Sequence, residues 1–209
     1  MNISRWRIWG LSLLSVQMFY AAVMAKEVND TKQLDQVRLE FEVAAQQKIQ
    51  SFASELKRNL SKAIQAGGFE EGVVACKDIA PSVAAKSPTS GWKVGRTSLK
   101  TRNKKNIPDT WERSILNGFE SQYSTGSDIK SLIGFAEHIE QQTITLRYMK
   151  AIPVDGLCLS CHGENVSAEV KKILDEQYPN DDAIGYKIGD LRGAFTLSQT
   201  IVLPVSADD

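Results

Sequence analysis

Residues 135–152 read Phe-Ala-Glu-His-Ile-Glu-Gln-Gln-Thr-Ile-Thr-Leu-Arg-Tyr-Met-Lys-Ala-Ile, and this stretch decides the fold class. Phe135 to Glu140 and Thr143 to Ile152 are rich in aromatic and β-branched residues, and Gln141-Gln142 separates them. The pattern predicts two antiparallel strands. A further strand follows Gly193, with Ala194, Thr196 and Ser198 on one face and Phe195, Leu197 and Gln199 on the other. Upstream, Trp92 to Lys100 reads as a strand entered through Gly91. Asn103 to Pro108 is a turn-rich loop, and Asp109 or Thr110 can cap a helix over Trp111 to Phe119. Gly118 and Gly126 bracket a polar connection, and Ser167 can cap a helix running to Gln177.

Before the strands the period changes. From Thr31 to Ala66 apolar residues recur at Leu34, Val37, Phe41, Ala45, Ile49, Phe52, Leu56, Leu60 and Ile64. Gaps of three and four define one amphipathic helix of about 54 Å at 1.5 Å per residue, stopped by Gly67-Gly68. A helix of that length fits partial packing on the core, with homodimerisation through the N-terminal helix as the sharper expectation. A second helix is expected from Glu70 to Ala80, ended by Pro81. Helices followed by a mostly antiparallel sheet with inserted helices make the chain α+β.

The chain has 209 residues with 25 basic and 25 acidic side chains, so its formal net charge is zero. That balance gives no reason to expect nucleic acid or an anionic membrane as partner. Arg5 and Arg7 precede an apolar run from Ile8 to Ala22, and Val23-Met24-Ala25 suits a signal peptidase. Residues 1–25 are therefore expected to be a secretory signal peptide cleaved after Ala25, leaving no stable membrane span. The expected organisation is 1–25 leader, 26–68 long helix and 69–209 sheet domain, located in the periplasm.

An oxidising compartment would pair cysteines unless something else holds them. Of the three, two stand in Cys158-Leu159-Ser160-Cys161-His162. This C-x-x-C-H run is the attachment signature of a c-type haem: two thiols form thioethers with the vinyl groups, and the histidine gives its imidazole to the iron. Chance would place it in well under about one such chain in a thousand. A thioredoxin-type disulfide lacks a preceding βαβ pattern, and a zinc site would need Cys76, Cys158, Cys161 and one histidine. The sixth ligand stays open at this level among His138, Met149 and Cys76, each of which also has a structural reading as sheet surface, core or small buried hydrophobe. Arg96 and Arg102 are candidates for pairing the haem propionates, because guanidinium matches carboxylate bidentately. A solvated strand face is the bland alternative for both.

With the motif in place, further segments carry a resemblance. They are Ala75-Cys76-Lys77-Asp78-Ile79-Ala80-Pro81, Trp92 to Lys100, Arg102-Asn103 with Asn106, Pro108, Trp111 and Glu112, then Pro153, Cys158 to Gly163, Gly185-Tyr186, and Gly189 to Gly193. In this order, from about residue 70 to 201, the chain resembles the family of exported monohaem c-type proteins with a PAS-like fold. The resemblance implies a PAS-like antiparallel sheet flanked by helices. It also implies one haem c bound through Cys158 and Cys161, with Cys76 as second axial ligand opposite His162. Lys104-Lys105 stands where the family has a shorter polar turn.

The function expected is a periplasmic redox or diatomic-gas sensor module, not an enzyme, passing its signal to a partner protein. The alternative is an electron-transfer cytochrome with a redox partner. A thiolate ligand favours ferric iron, and its loss on reduction would open a site for nitric oxide or carbon monoxide.

Overall fold

The computed structural model describes the backbone of residues 9–85 and 91–203, and the side chains of residues 24, 31–77 and 91–203. Of the expected leader, residues 1–8 and every side chain but that of Met24 lie outside the described residues. Among the described residues no helix is long and apolar enough to cross a membrane. The chain divides into two units, residues 1–43 and 44–209. The first is helical from Trp9 onward, with local ties such as Arg38 to Asp35 at 2.7 Å. The second holds the sheet.

Helix α1 runs Trp9–Ala85 and is broken at Gly67 and Gly68, which leave helical geometry where the sequence expects a stop. Gly68 has φ +75, a region that costs glycine nothing. Gly72 lies against Ile64 and Leu60, where an added Cβ would come within 2.9 Å of Ile64 Cγ1. The segment after the break therefore packs back on the one before it. The helix expected to end at Pro81 continues in its backbone to Ala85. A proline removes one intrahelical N–H bond and can kink a helix without ending it.

Among the described residues four strands follow: β1 Trp92–Thr97, β2 Ile133–Glu140, β3 Thr143–Pro153 and β4 Leu191–Val202. They form one antiparallel sheet in the order β1-β4-β3-β2. Gln141, at φ +51, turns the β2–β3 hairpin. Strand β1 stops at Thr97 rather than Lys100. There Ser98 leaves the ladder, its N–H donating to Asn106 O and its hydroxyl sharing one proton between the carbonyls of Lys100 and Arg192, each 2.8 Å away.

Two helices flank the later strands: α2 Thr110–Ser124 and α4 Ala168–Gln177. Asp109 and Glu112 close a capping box on α2, and Ser167 caps α4. Helix α2 passes through Gly118, where the sequence pattern begins a polar connection, and runs on past Phe119, the expected end, to Ser124. Burying Phe119 is worth about 1.5–3 kcal/mol, more than the roughly 1 kcal/mol that one helical glycine costs.

The pleat divides the sheet into two faces. Met149, Ala151 and Ala194 point toward Leu116 and Phe119 of α2, joined by Ile129, Leu132 and Leu191. Trp92, Val94, Ile144, Leu146, Tyr148, Phe195 and Leu197 point the other way, as the register requires. On that second face Phe52 of α1 meets Phe195 edge-on at 5.9 Å, and Lys48 lies over Trp92 at 5.0 Å. The architecture is α+β, an antiparallel sheet flanked by helices and preceded by a long helix, consistent with a PAS-like fold.

Candidate functional site: a cysteine–histidine helix facing partly buried arginines

A short helix that the sequence pattern does not reveal, α3 Gly156–His162, carries the motif. Asp155 caps it, accepting from Leu157 N–H. In helical geometry positions three and four apart share a face, so Cys158, Cys161 and His162 project together. Gly163 ends the helix: its N–H donates to Leu159 O, and an added Cβ would come within 2.6 Å of that oxygen. The chain then pairs Gly163 with Tyr186, and Tyr186 N–H donates to His162 O.

His162 is held by a 2.6 Å bond between Nδ1 and Ala183 O. A carbonyl only accepts, so Nδ1 carries the proton and Nε2 keeps its lone pair. Burial, reinforced by the charges of Arg192 and Arg102, pushes the His162 pKa down to about 2. The imidazole is thus neutral at physiological pH and oriented as a ligand. Tyr186 packs against it edge-on, ring centroids 6.4 Å apart.

All three cysteines are free thiols whose pKa burial raises. Cys158 packs beside Val154, Ala183 and Tyr186, and its thiol lies 3.3 Å from Asp155 Oδ1. Lys57 of α1 holds the other oxygen of Asp155 at 2.9 Å. Cys161 packs against Val73, Val170, Leu174 and Tyr178. Cys76 lies within electrostatic reach of Arg96, Arg102, Cys161 and Tyr178. Of the three side chains left open as partners of His162, Cys76 alone joins this cluster. Met149 is fully buried on the α2 face, and His138 is exposed on β2, the sheet edge opposite β1. Among the described residues no three His, Cys, Asp or Glu side chains converge on a metal position, so the four-ligand zinc alternative has no geometry behind it.

Three arginines surround the cluster. Arg102 is committed: its Nε pairs with Asp181 at 2.8 Å, and its Nη2 donates to the carbonyls of Cys161 and Ala183. Arg192, which the sequence pattern does not single out, donates to Ser98 Oγ and Lys100 O and lies over Tyr186. Arg96 has no hydrogen-bond or ion-pair partner among the described residues. Burial lowers the pKa of both Arg96 and Arg192, and the neighbouring guanidinium charges lower that of Arg192 further. With Asp181 as the paired carboxylate, the group keeps two surplus positive charges, an arrangement that suits a ligand with two acidic substituents. A cavity of about 260 Å³ along β1 includes Arg96 but none of the cysteines or His162. The chemistry therefore sits in the cluster rather than in that cavity. Signals for Arg192 and Tyr186 are present in the segments Gly189 to Gly193 and Gly185-Tyr186, but those segments alone assign neither residue a role.

Comparison with known proteins places the chain. No curated protein sequence matches it. The crystal structure of the cyanobacterial heme-protein Tll0287 aligns with a TM-score of 0.52 at 23% identity, covering 78% of this chain and 98% of that one, a likeness of fold. The Tll0287-like family model matches residues 19–200, most of the length, and the chain belongs to the Tll0287-like family.

Proposed function

We propose that this chain is an exported c-type haem protein that works as a redox- or gas-responsive module rather than as an enzyme. One haem would be attached through thioethers to Cys158 and Cys161, with His162 Nε2 and Cys76 Sγ as the iron's protein ligands. The observation that carries the reading is His162 itself, neutral, tied through Nδ1 to Ala183 O and sharing a helix face with two free thiols. The residues present fit the group: the two surplus guanidinium charges match two propionates, with Arg96 and Arg192 freer to pair them than Arg102. Tll0287, which shares the fold, is a heme-protein, and that supports the same reading.

When bound, the haem iron supplies a one-electron couple and a coordination position for small gases. The chain's own part is to set that couple and to move. Cys76 as an iron ligand would favour the ferric state, and it would be held as the thiolate there despite the burial that raises its pKa. Release of Cys76 on reduction would free the segment of α1 after Gly68, a two-state element able to signal to a periplasmic partner. An electron-carrier role draws on Ile184 and Ile188, exposed beside Tyr186, as a contact surface for a redox partner.

The test is the optical and low-temperature EPR spectrum of the protein, made with haem-attachment machinery, beside Cys76→Ala. A low-spin ferric thiolate signature that the variant loses, and that dithionite with carbon monoxide displaces, is the expected result. A thiolate that stays bound under carbon monoxide would move the function to electron transfer. An unchanged variant spectrum would remove Cys76 from the iron.

A further inference from the structure

The cavity of about 260 Å³ along β1 shares only Arg96 with the haem reading. Four successive residues, Val94 to Thr97, line it, and successive strand residues point to opposite faces. It therefore lies along the sheet edge that β1 forms rather than on either face. The loop after β1 closes the other side and is pinned there. Ser98 N–H and the Thr97 hydroxyl both donate to Asn106 O, at 3.2 and 3.3 Å, and Lys105 N–H donates to Asn103 Oδ1 at 2.9 Å. At roughly 30 Å³ for each water-sized group the space holds about nine non-hydrogen atoms, far too few for a porphyrin.

Two features of its wall point to a small ligand. Gly95 stands inside β1, where a side chain would favour the strand. Its φ is not left-handed, and an added Cβ would meet only Thr196 Cγ2, at an ordinary 3.8 Å. Neither backbone nor crowding demands glycine there, and a strand glycine of that kind marks a close approach by something else. The charge of the wall is also unbalanced. Glu112 is engaged at both oxygens: Oε1 accepts from Thr196 Oγ1 at 2.6 Å and lies 3.4 Å from Arg147 Nη2, and Oε2 accepts from Asp109 N–H at 3.1 Å. Arg96 and Lys105 also line the space, and among the described residues neither has an ion-pair partner. Phe52, Val94 and Ile107 supply its apolar part.

We infer that this edge cavity binds a small carboxylate with an apolar body, its anion taken by Arg96 and its body laid against Phe52, Val94 and Ile107. Pockets of this kind combine an apolar lining with a few polar groups that fix orientation. The site is compatible with the haem reading. A guanidinium carries five N–H donors, so a propionate held through two of them leaves three for a second carboxylate. Inorganic phosphate offers the charge without the body, and an alcohol offers the body without the charge.

The test is isothermal titration calorimetry of benzoate into the protein made with haem-attachment machinery, with benzyl alcohol and inorganic phosphate as comparisons. Heat is read whether or not haem is attached, so failure of the haem reading and failure of this inference are separate results. Saturable one-to-one binding of benzoate is expected, with both comparison ligands at least about tenfold weaker. Arg96→Met should weaken benzoate about tenfold or more, through loss of a charge-assisted pair. Gly95→Val should abolish binding by filling the space while Arg96 stays in place. Ile107 is 54% exposed, so Ile107→Ser spares the fold and should weaken binding severalfold. Absence of saturable heat overturns the inference, as does equal affinity for benzyl alcohol or phosphate. Benzoate affinity left unchanged by Arg96→Met or by Ile107→Ser overturns it too. So does a haem optical spectrum that shifts during the titration, which would put benzoate on the iron.

Discussion

The α2 face of the sheet and the region around α3 are finished differently. Toward α2, Leu116, Phe119, Met149, Ala151 and Ala194 are each at most 4% exposed, and no titratable group interrupts their cluster. Around α3 the apolar packing is split into two small clusters, one touching Cys158 and the other Cys161, with three arginines and one paired carboxylate between them. The first region is complete as protein. The second carries partly buried charge that the chain does not neutralise, which is costly unless a ligand does so. Side chains that a cofactor would satisfy are frustrated in its absence.

The sharpest way to break that contrast is in the α2 face. Phe119→Ala should destabilise by about 3–5 kcal/mol through lost burial and the cavity left behind. The loss should be the same with and without haem, because no part of the cluster belongs to the cofactor site. Denaturant unfolding of both forms measures it, and a loss that depends on loading would show that the two regions are coupled.

Arg96 gives an effect of opposite sign in the two forms. In the unloaded protein Arg96→Met removes a desolvated charge with no ion-pair partner among the described residues and keeps the aliphatic packing of the stem, so stability should rise by about 1 kcal/mol. In the loaded protein the same change removes a guanidinium from a propionate and should lower stability by about 1–3 kcal/mol. Paired thermal melts read the sign. A gain in both forms would mean that Arg96 is no cofactor ligand.

How much of each region is legible in the sequence follows from the range of the forces involved. The β2–β3 hairpin is legible because alternation and a two-residue turn are local, as is the Ser167 cap. The end of α2, at Ser124 rather than Phe119, is not, because the burial of Phe119 that anchors this end of the helix depends on Met149 and Ala194, far along the chain. The α3 residues are legible as a motif, since one helical turn brings Cys158, Cys161 and His162 to one face. Arg192 is not legible: its fixed geometry comes from Ser98 and Lys100, which approach it only once β1 and β4 have paired. Ala183 is invisible for a similar reason, since its part is played by a backbone carbonyl.

The smallest expected effect lies where α1 meets the start of α3. The Lys57 ammonium holds the Asp155 carboxyl below its usual 3.8 and is itself raised above 10.5 by the same bond. A carboxylate with a depressed pKa contributes its stability above the unfolded value and loses it as pH falls through the folded one. A raised lysine contributes below its unfolded value and loses it as pH rises through the folded one. The pair therefore acts between those limits, roughly pH 4 to pH 10. Both groups are more than half exposed, so solvent and salt screen the bond, and Lys57→Met should cost about 0.2–1 kcal/mol at pH 7. That cost should fade in acid, as pH falls below 3.8 and through the lowered Asp155 pKa. A larger cost, or one that persists in acid, would show that Lys57 supports α3 through packing rather than charge. Because Asp155 also caps α3 and accepts from the Cys158 thiol, Asp155→Ala should exceed Lys57→Met by the roughly 1 kcal/mol of a lost cap.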